Sequence, residues 1–282
     1  MKHFLVYVNR YKDEKLLTAR RICDFLRLKG QHVTLKTVGN GGEEASLPIP
    51  ADICCIIALG GDGTVLQAAR EAKVLQIPII GVNLGTLGYM TEIEPSGLEE
   101  ALERLITEDY IQESRMMLDG KAYLSDGSVR EDRALNEIAL SRRGPLQIIR
   151  FNIYVNGQFL NHYKADGMIV TTPTGSTGYN LSAGGPLVEP GAQLIMLTPI
   201  CPHSLNQRSI ILSPEDIIEI EIPECGEGRM QTVEVNFDGS HMIPLQTGDK
   251  IRIVRSGKVT EFIRLNQVSF LEVLHRKMQD SL

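Results

Sequence analysis

An aspartate set among glycines, Gly60-Gly61-Asp62-Gly63-Thr64, directly follows the apolar run Ile53 to Leu59. Glycines allow a tight turn, positive φ and the close approach of a bulky anion. With a helix starting at Thr64, the N–H groups of the turn and the helix N-terminus behind them attract phosphate. Thr64 is then the expected helix cap. Asp62 alone would repel phosphate, so inside an anion-binding loop it must serve the chemistry, either by accepting a proton or by holding a metal that bridges phosphates. The plainer reading is a glycine-rich turn with Asp62 as a capping residue. Neither GxxxxGK[ST] nor GxGxxG occurs, which removes P-loop enzymes and weakens a redox reading.

Three further stretches carry chemistry. Gly81 to Tyr89 follows the next apolar run, and Tyr89 suits stacking on a base and plain packing equally well. Asn136 and Glu137 are adjacent in a strand-like segment, where their side chains would leave on opposite faces unless a bulge or strand end redirects one. The pair suits a ribose diol, and a solvated strand edge fits it at least as well. Asp166 opens a run to Asn180 that crowds Thr174, Ser176, Thr177 and Tyr179 among Gly and Pro, able to present hydroxyls to an adenine or a ribose. Arg142, Arg143, Lys164 and Arg208 are candidate phosphate contacts, Lys164 foremost because it lies two residues before Asp166. Arg and Lys more often lie solvated on a surface.

Strands and helices must position these groups. His3–Asn9, His32–Thr37, Ile53–Leu59 and Ile77–Asn83 read as strands. Lys15–Lys29, Thr64–Lys73 and Leu98–Ile106 read as helices, and 39–50 as a Gly/Glu/Pro loop. Unbroken apolar strands alternating with helices imply a parallel sheet covered on both faces. After about residue 115, strand-like segments follow one another without crossover helices, as in an antiparallel sandwich or layered sheet. Helical pattern returns only at Ser269–Met278. The expected architecture is a Rossmann-like α/β domain over 1–114, completed by 256–282, and a mostly β domain over 115–255.

Composition narrows the partners. At 43% hydrophobic and 23% charged residues, the 282-residue chain is that of a folded globular protein with room for two domains. Net charge is −6, which argues against nucleic acid and anionic membranes as partners. No apolar run nears the roughly 20 residues of a membrane span, and Phe4–Val8 is too short for a signal peptide, so a cytoplasmic location is expected. The five cysteines form no CxxC pair and read as reduced packing residues; Cys54 and Cys55 should point to opposite faces of a strand.

Taken in order, GGDGT, NLGTLGY, LNE and DGMIVTTPTGSTGYNLSAGGP resemble the NAD kinase family over roughly residues 55 to 240. GGDGT alone is also shared by phosphofructokinases and by diacylglycerol and sphingosine kinases. The resemblance implies an α/β and a β domain with the active site between them, and a C-terminal helix packed back on the first domain. It implies transfer of phosphate from ATP, or another donor, to the 2′-hydroxyl of the adenosine ribose of NAD. Asp62 matches the proton-accepting aspartate, and Gly60, Gly61, Gly63 and Thr64 the phosphate loop. Asp62 with Gly61, Gly63, Tyr89, Asn136, Glu137, Lys164, Asp166, Thr174, Ser176, Thr177, Tyr179 and Asp238 would meet NAD. Magnesium or manganese would be bridged mainly by the donor phosphates, and a homodimer or homotetramer is implied. Family members often carry His at Thr86, Phe at Tyr89 and Ala at Gly178, differences that touch pocket shape. Two rivals are an NAD(P)-sensing module without turnover and a lipid or sugar kinase sharing GGDGT.

Overall fold

A computed structural model describes residues 1–39, 48–72, 75–85, 88–144, 148–204, 207–226, 230–266 and 268–279. The chain divides into two compact units, Met1–Ser114 with Thr260–Leu282, and Arg115–Val259.

The first unit runs β1 (His3–Asn9), α1 (Leu17–Leu28), β2 (His32–Val38), β3 (Cys55–Gly60), α2 (Asp62–Ala72), β4 (Ile79–Asn83), β5 (Thr91–Ile93) and α3 (Leu98–Thr107). The strands are parallel in the order β4-β3-β1-β2, with β5 beside β4. Every residue of β3 is buried, as a central parallel strand covered on both faces requires. Ala19, Ile22, Cys23 and Leu26 of α1 share one core cluster with Leu98, Leu102 and Leu105 of α3 and with β1 and β3 residues. The spacing of those residues is the amphipathic period seen in the sequence.

Element starts shift for local reasons. Helix α1 begins at Leu17 rather than Lys15 because the Asp13 carboxylate accepts the N–H groups of Leu17 and Ala19, both at 2.8 Å. Helix α2 begins at Asp62, not Thr64: its first turn closes on the Gly61 carbonyl, which accepts from Thr64 at 2.9 Å and Val65 at 3.2 Å. Thr64 therefore sits within the first turn and is not the cap. Strand β3 starts at Cys55, so Cys54 precedes the strand instead of alternating with Cys55 inside it. Residues 40–47 of the expected loop, and Lys73 at the expected end of α2, lie outside the described residues.

The second unit continues through β6 (Ile111–Tyr123), β7 (Val129–Ala134), β8 (Glu137–Arg142), β9 (Ile149–Val155), β10 (Gln158–Ala165), β11 (Gly167–Thr171), α4 (Tyr179–Ser182), β12 (Ile195–Ile200), β13 (Ile210–Leu212), β14 (Ile218–Glu221), β15 (Thr232–Phe237), β16 (His241–Gln246) and β17 (Lys250–Arg264). One layer has the order β13-β12-β11-β8-β15-β16, antiparallel throughout. The other carries β10-β9-β14-β17, also antiparallel. Phe151, Ile153, Ile220 and Ile253 of the second layer share a core cluster with Leu140, Val170, Leu197 and Phe237 of the first. The expected layered β architecture is present. What the strand reading missed is helical: Thr174–Thr177 form a 3-10 turn, followed at once by α4.

The chain returns to the first unit at the end of β17, where Phe262 pairs with Ile79 of β4, and closes with α5 (Phe270–Gln279). Arg264 binds Glu113 at 2.6 Å and Glu92 at 3.1 Å, and Glu92 also accepts the N–H groups of Leu265 and Asn266. This network fixes the entry to α5, which belongs to the first unit as expected. Among the described residues, no helix is long and apolar enough to cross a membrane.

Candidate functional site

In the first unit, Asp62 stands at the carboxyl end of β3 as the first residue of α2. Its Oδ2 accepts the Tyr89 N–H at 2.8 Å and its Oδ1 the Met90 N–H at 2.9 Å. The carboxylate thus has a fixed orientation and keeps lone pairs for another donor. Gly88 makes this possible, since a Cβ there would overlap Asp62 Oδ1. Of the three loop glycines only Gly60 takes positive φ, +156°, and a Cβ on it would overlap the Thr64 hydroxyl. At Gly61 and Gly63 a Cβ would meet nothing within 4 Å, so the loop backbone presents an open face. Tyr89 lies against α5, its ring centroid 6.1 Å from that of Phe270 and 4.7 Å from Lys277 Nζ. Burial, and then the charge of Asp62, push its phenol up. Thr86 lies outside the described residues.

In the second unit the strand begins between the two paired residues. Asn136 occupies a bend and Glu137 is the first residue of β8, so they do not alternate across a sheet. Asn136 Nδ2 and Glu137 Oε2 each lie 3.7 Å from the point where a Cβ on Gly178 would sit. Asn136 Oδ1 and Glu137 Oε2 are buried with no hydrogen-bond partner among the described residues. Such groups are costly unless a ligand or water completes them. Glu137 is only 8% exposed, and burial, followed by the charge of Asp238, pushes its carboxyl up to about 8.

Asp238, at φ +49° after β15, is spent on the backbone. Its carboxylate accepts the N–H groups of Leu135 and Asn136 at 2.8 Å and of Glu137 at 3.2 Å. The hydroxyl-rich run also turns inward. Thr171 donates to the Asn136 carbonyl at 2.9 Å, and Thr172 to that of Leu135 at 2.6 Å. Ser176, with no exposed surface, donates to the Val188 carbonyl at 3.0 Å and accepts the Val188 N–H at 3.1 Å. Thr174 is buried and accepts from Arg115 at 3.4 Å. Thr177 is half-buried and Tyr179 exposed. The phenol of Tyr179 is pushed up by its partial burial, then by Cys201, Glu137 and Asp166, which places those groups around it. Asp166 pairs with Arg142 at 3.1 Å and Arg143 with Glu234 at 3.1 Å, while Lys164 and Arg208 are exposed. Among the described residues, no group of three or more His, Cys, Asp or Glu is placed to hold a metal.

The ATP-NAD kinase N-terminal domain matches residues 4–110, and the ATP-NAD kinase C-terminal domain matches 135–265. The chain belongs to the NAD kinase family. It is 46% identical to an NAD kinase from Lachnospira eligens, over 99% of this chain and all of that one. Identity to an NAD kinase from Lachnoclostridium phytofermentans is 43%, with the same coverage. An NAD kinase from Archaeoglobus fulgidus, solved in complex with ATP, superposes with a TM-score of 0.77 at 27% identity, over 98% of each chain. Yeast NADH kinase, solved with NADH, gives a TM-score of 0.84 over 99% of this chain and 88% of that one. At 22% identity this second likeness speaks for the fold.

Within this NAD kinase chain, some residues that build the site went unread in the sequence. Asn180 donates to the Ser176 and Pro186 carbonyls and accepts from Thr198 at 2.7 Å, pinning α4 against β12. Arg115 is buried beside Thr174. A lone Arg at the head of a strand offers no local signal. The Gly-Gly pair after Ser182 did: a Cβ on Gly185 would overlap the Asn180 amide, so that glycine marks a close approach.

Proposed function

We infer that the protein phosphorylates the 2′-hydroxyl of the adenosine ribose of NAD, with ATP as donor, to give NADP. The observation that carries this is the Asp62 carboxylate, held by two backbone N–H groups beside an open glycine loop, in a chain of this family. In the reaction the 2′-oxygen attacks the terminal phosphorus, its proton passes to Asp62, and the bond to the bridging oxygen breaks to release ADP. Catalysis is mostly positioning and charge neutralisation. The N–H groups of Gly61 and Gly63 and the N-terminus of α2 receive the transferring phosphate. Asn136 and Glu137, unsatisfied and side by side, hold the nucleoside, and Tyr179 and Asp166 line the same pocket. Asp238, Thr174 and Ser176 serve that pocket by fixing its backbone. The protein offers no three-carboxylate metal cage among the described residues, so a divalent cation would arrive on the donor phosphates and spread their charge. We place the reaction in the cytoplasm and expect a homodimer or homotetramer, which sedimentation would test.

The deciding assay couples NADP formed from NAD, ATP and magnesium to an NADP-specific dehydrogenase. Asp62→Asn is expected to lower kcat by about 10²–10⁴. Because an amide cannot accept both N–H bonds, the melting temperature is measured alongside, to separate lost chemistry from lost fold. Near-normal turnover in that variant would overturn the role of Asp62. NAD binding without turnover in the wild-type chain would mark a sensing module instead.

A further inference from the structure

Outside the groups used above, the first unit holds a cavity of about 720 Å³, within the usual range for small-molecule sites of about 300–1,000 Å³. Lys12, Asn83, Gly85, Glu94, Arg276 and Gln279 are among its lining residues. Its position follows from the register of the parallel sheet. Val8 of β1 faces Leu59 of β3, and Gly60 faces Asn83 of β4, so three strands end side by side. Ligands of open α/β sheets bind outside these carboxyl ends.

The cavity wall is joined to the glycine loop by the Leu84 N–H, which donates to the Gly60 carbonyl at 2.9 Å. Asn83 Oδ1 accepts the Gly85 N–H at 3.0 Å and tightens the turn. On the other side, the N–H groups of Lys12 and Asp13 both donate to the Asn9 carbonyl, holding Lys12 at the end of β1. Its Nζ lies 3.8 Å from where a Cβ on Gly85 would stand. Lys12 has no carboxylate partner among the described residues. Arg276 comes from α5, where Glu272 binds it at 2.6 Å. Two cations thus face the single carboxylate of Glu94 in a chain of net charge −6.

We propose that this cavity holds the nucleoside triphosphate donor, with Lys12 and Arg276 on its inner phosphates and the terminal phosphate on the Gly60–Gly63 loop. The proposal rests on the kinase reading above. It gives α5 a role beyond packing, since the helix supplies a donor-binding cation. It also leaves Asn136 and Glu137 to the acceptor nucleotide.

The test is steady-state kinetics of the full chain with ATP varied at saturating NAD, then the reverse. Lys12→Met and Arg276→Met are each expected to raise the KM for ATP about tenfold or more, the loss of one charge-assisted contact, with the KM for NAD within about twofold. Arg276→Lys, which keeps the charge, should recover most of the loss and so separates charge from any disturbance of α5. Inorganic tripolyphosphate should compete with ATP in the wild type and do so more weakly in Lys12→Met. An unchanged KM for ATP, or an equal rise in the KM for NAD, would overturn the assignment. If the wild type forms no NADP, the kinase reading fails first. Calorimetry with tripolyphosphate then decides the cavity on its own, where no binding, or equal affinity in wild type and Lys12→Met, counts against it.

Discussion

Two carboxylates, one in each unit, are held in opposite ways. Asp62 begins a helix, and both of its oxygens accept a backbone N–H from Tyr89 and Met90. Glu137 begins a strand, and its Oε2 is buried without a partner, in the field of Asp238. A carboxylate that must meet a reacting hydroxyl gains from a fixed direction, and backbone donors give it one. A carboxyl group that waits for a ligand gains from being left incomplete, because the ligand then relieves a desolvation cost already incurred. Orientation on one side and unmet hydrogen-bonding capacity on the other distinguish a reacting group from a holding one.

Gly88→Ala attacks the orientation. The added methyl overlaps the Asp62 carboxylate and forces it aside. Displacement of a reacting group by about 1 Å costs on the order of 10² in rate, and kcat should fall by that factor with little change in the KM for NAD. An unchanged kcat would mean that Asp62 tolerates reorientation. Asp238→Asn attacks the other side. The new NH₂ must face at least one of the N–H groups of Leu135, Asn136 and Glu137, which costs about 1–3 kcal/mol of stability, read as a lower urea midpoint. The KM for NAD should rise with it, since the bend carrying Asn136 loosens. Equal stability would show that Asp238 does not clamp that bend.

Glu137→Gln tests the incomplete group by pH. The carboxyl sits at about 8 in the fold against an ordinary 4.5. Between those values the folded chain keeps a proton that the unfolded chain has lost, so this group's contribution to stability falls as pH rises through that window. Removing the titration should leave the variant progressively more stable than the wild type as pH rises, by at least about 1.4 kcal/mol above pH 8, the worth of one pKa unit. Parallel curves for the two proteins would show that Glu137 is solvated after all.

The period of the apolar residues made the architecture legible. Ile56 to Leu59 could only be a strand buried on both faces, and Leu98 to Leu105 only a one-sided helix. Asp62 was legible because strand, glycines and helix follow within a dozen residues. The hydroxyl run misled in part, since composition shows which groups are polar and not where they point. Thr171, Thr172 and Ser176 look like ligand contacts and instead tie their own segment to Leu135, Asn136 and Val188. Their partners lie 12 to 37 residues away, beyond any local pattern. The clamp by Asp238 bridges about a hundred residues and was visible only as an acid after a strand.

The weakest effect belongs to Arg142, and it bears on which charges in the second unit matter. Its pair with Asp166 has side chains 29% and 31% exposed, so water screens the attraction on both ends. Arg142→Ala should therefore change stability by no more than about 1 kcal/mol, the usual worth of such pairs. The informative reading is the KM for NAD. Asp166 stands near Tyr179 and Glu137, and releasing it from Arg142 frees its oxygens to turn toward that group. A fall in KM would show that Arg142 restrains an acceptor the ligand wants. A rise would show that the pair holds Asp166 where the ligand needs it, extending to this half-exposed carboxylate the orientation principle that governs Asp62. No change would confine ligand recognition in this unit to the buried pair, Asn136 and Glu137, and make Asp166 a surface charge.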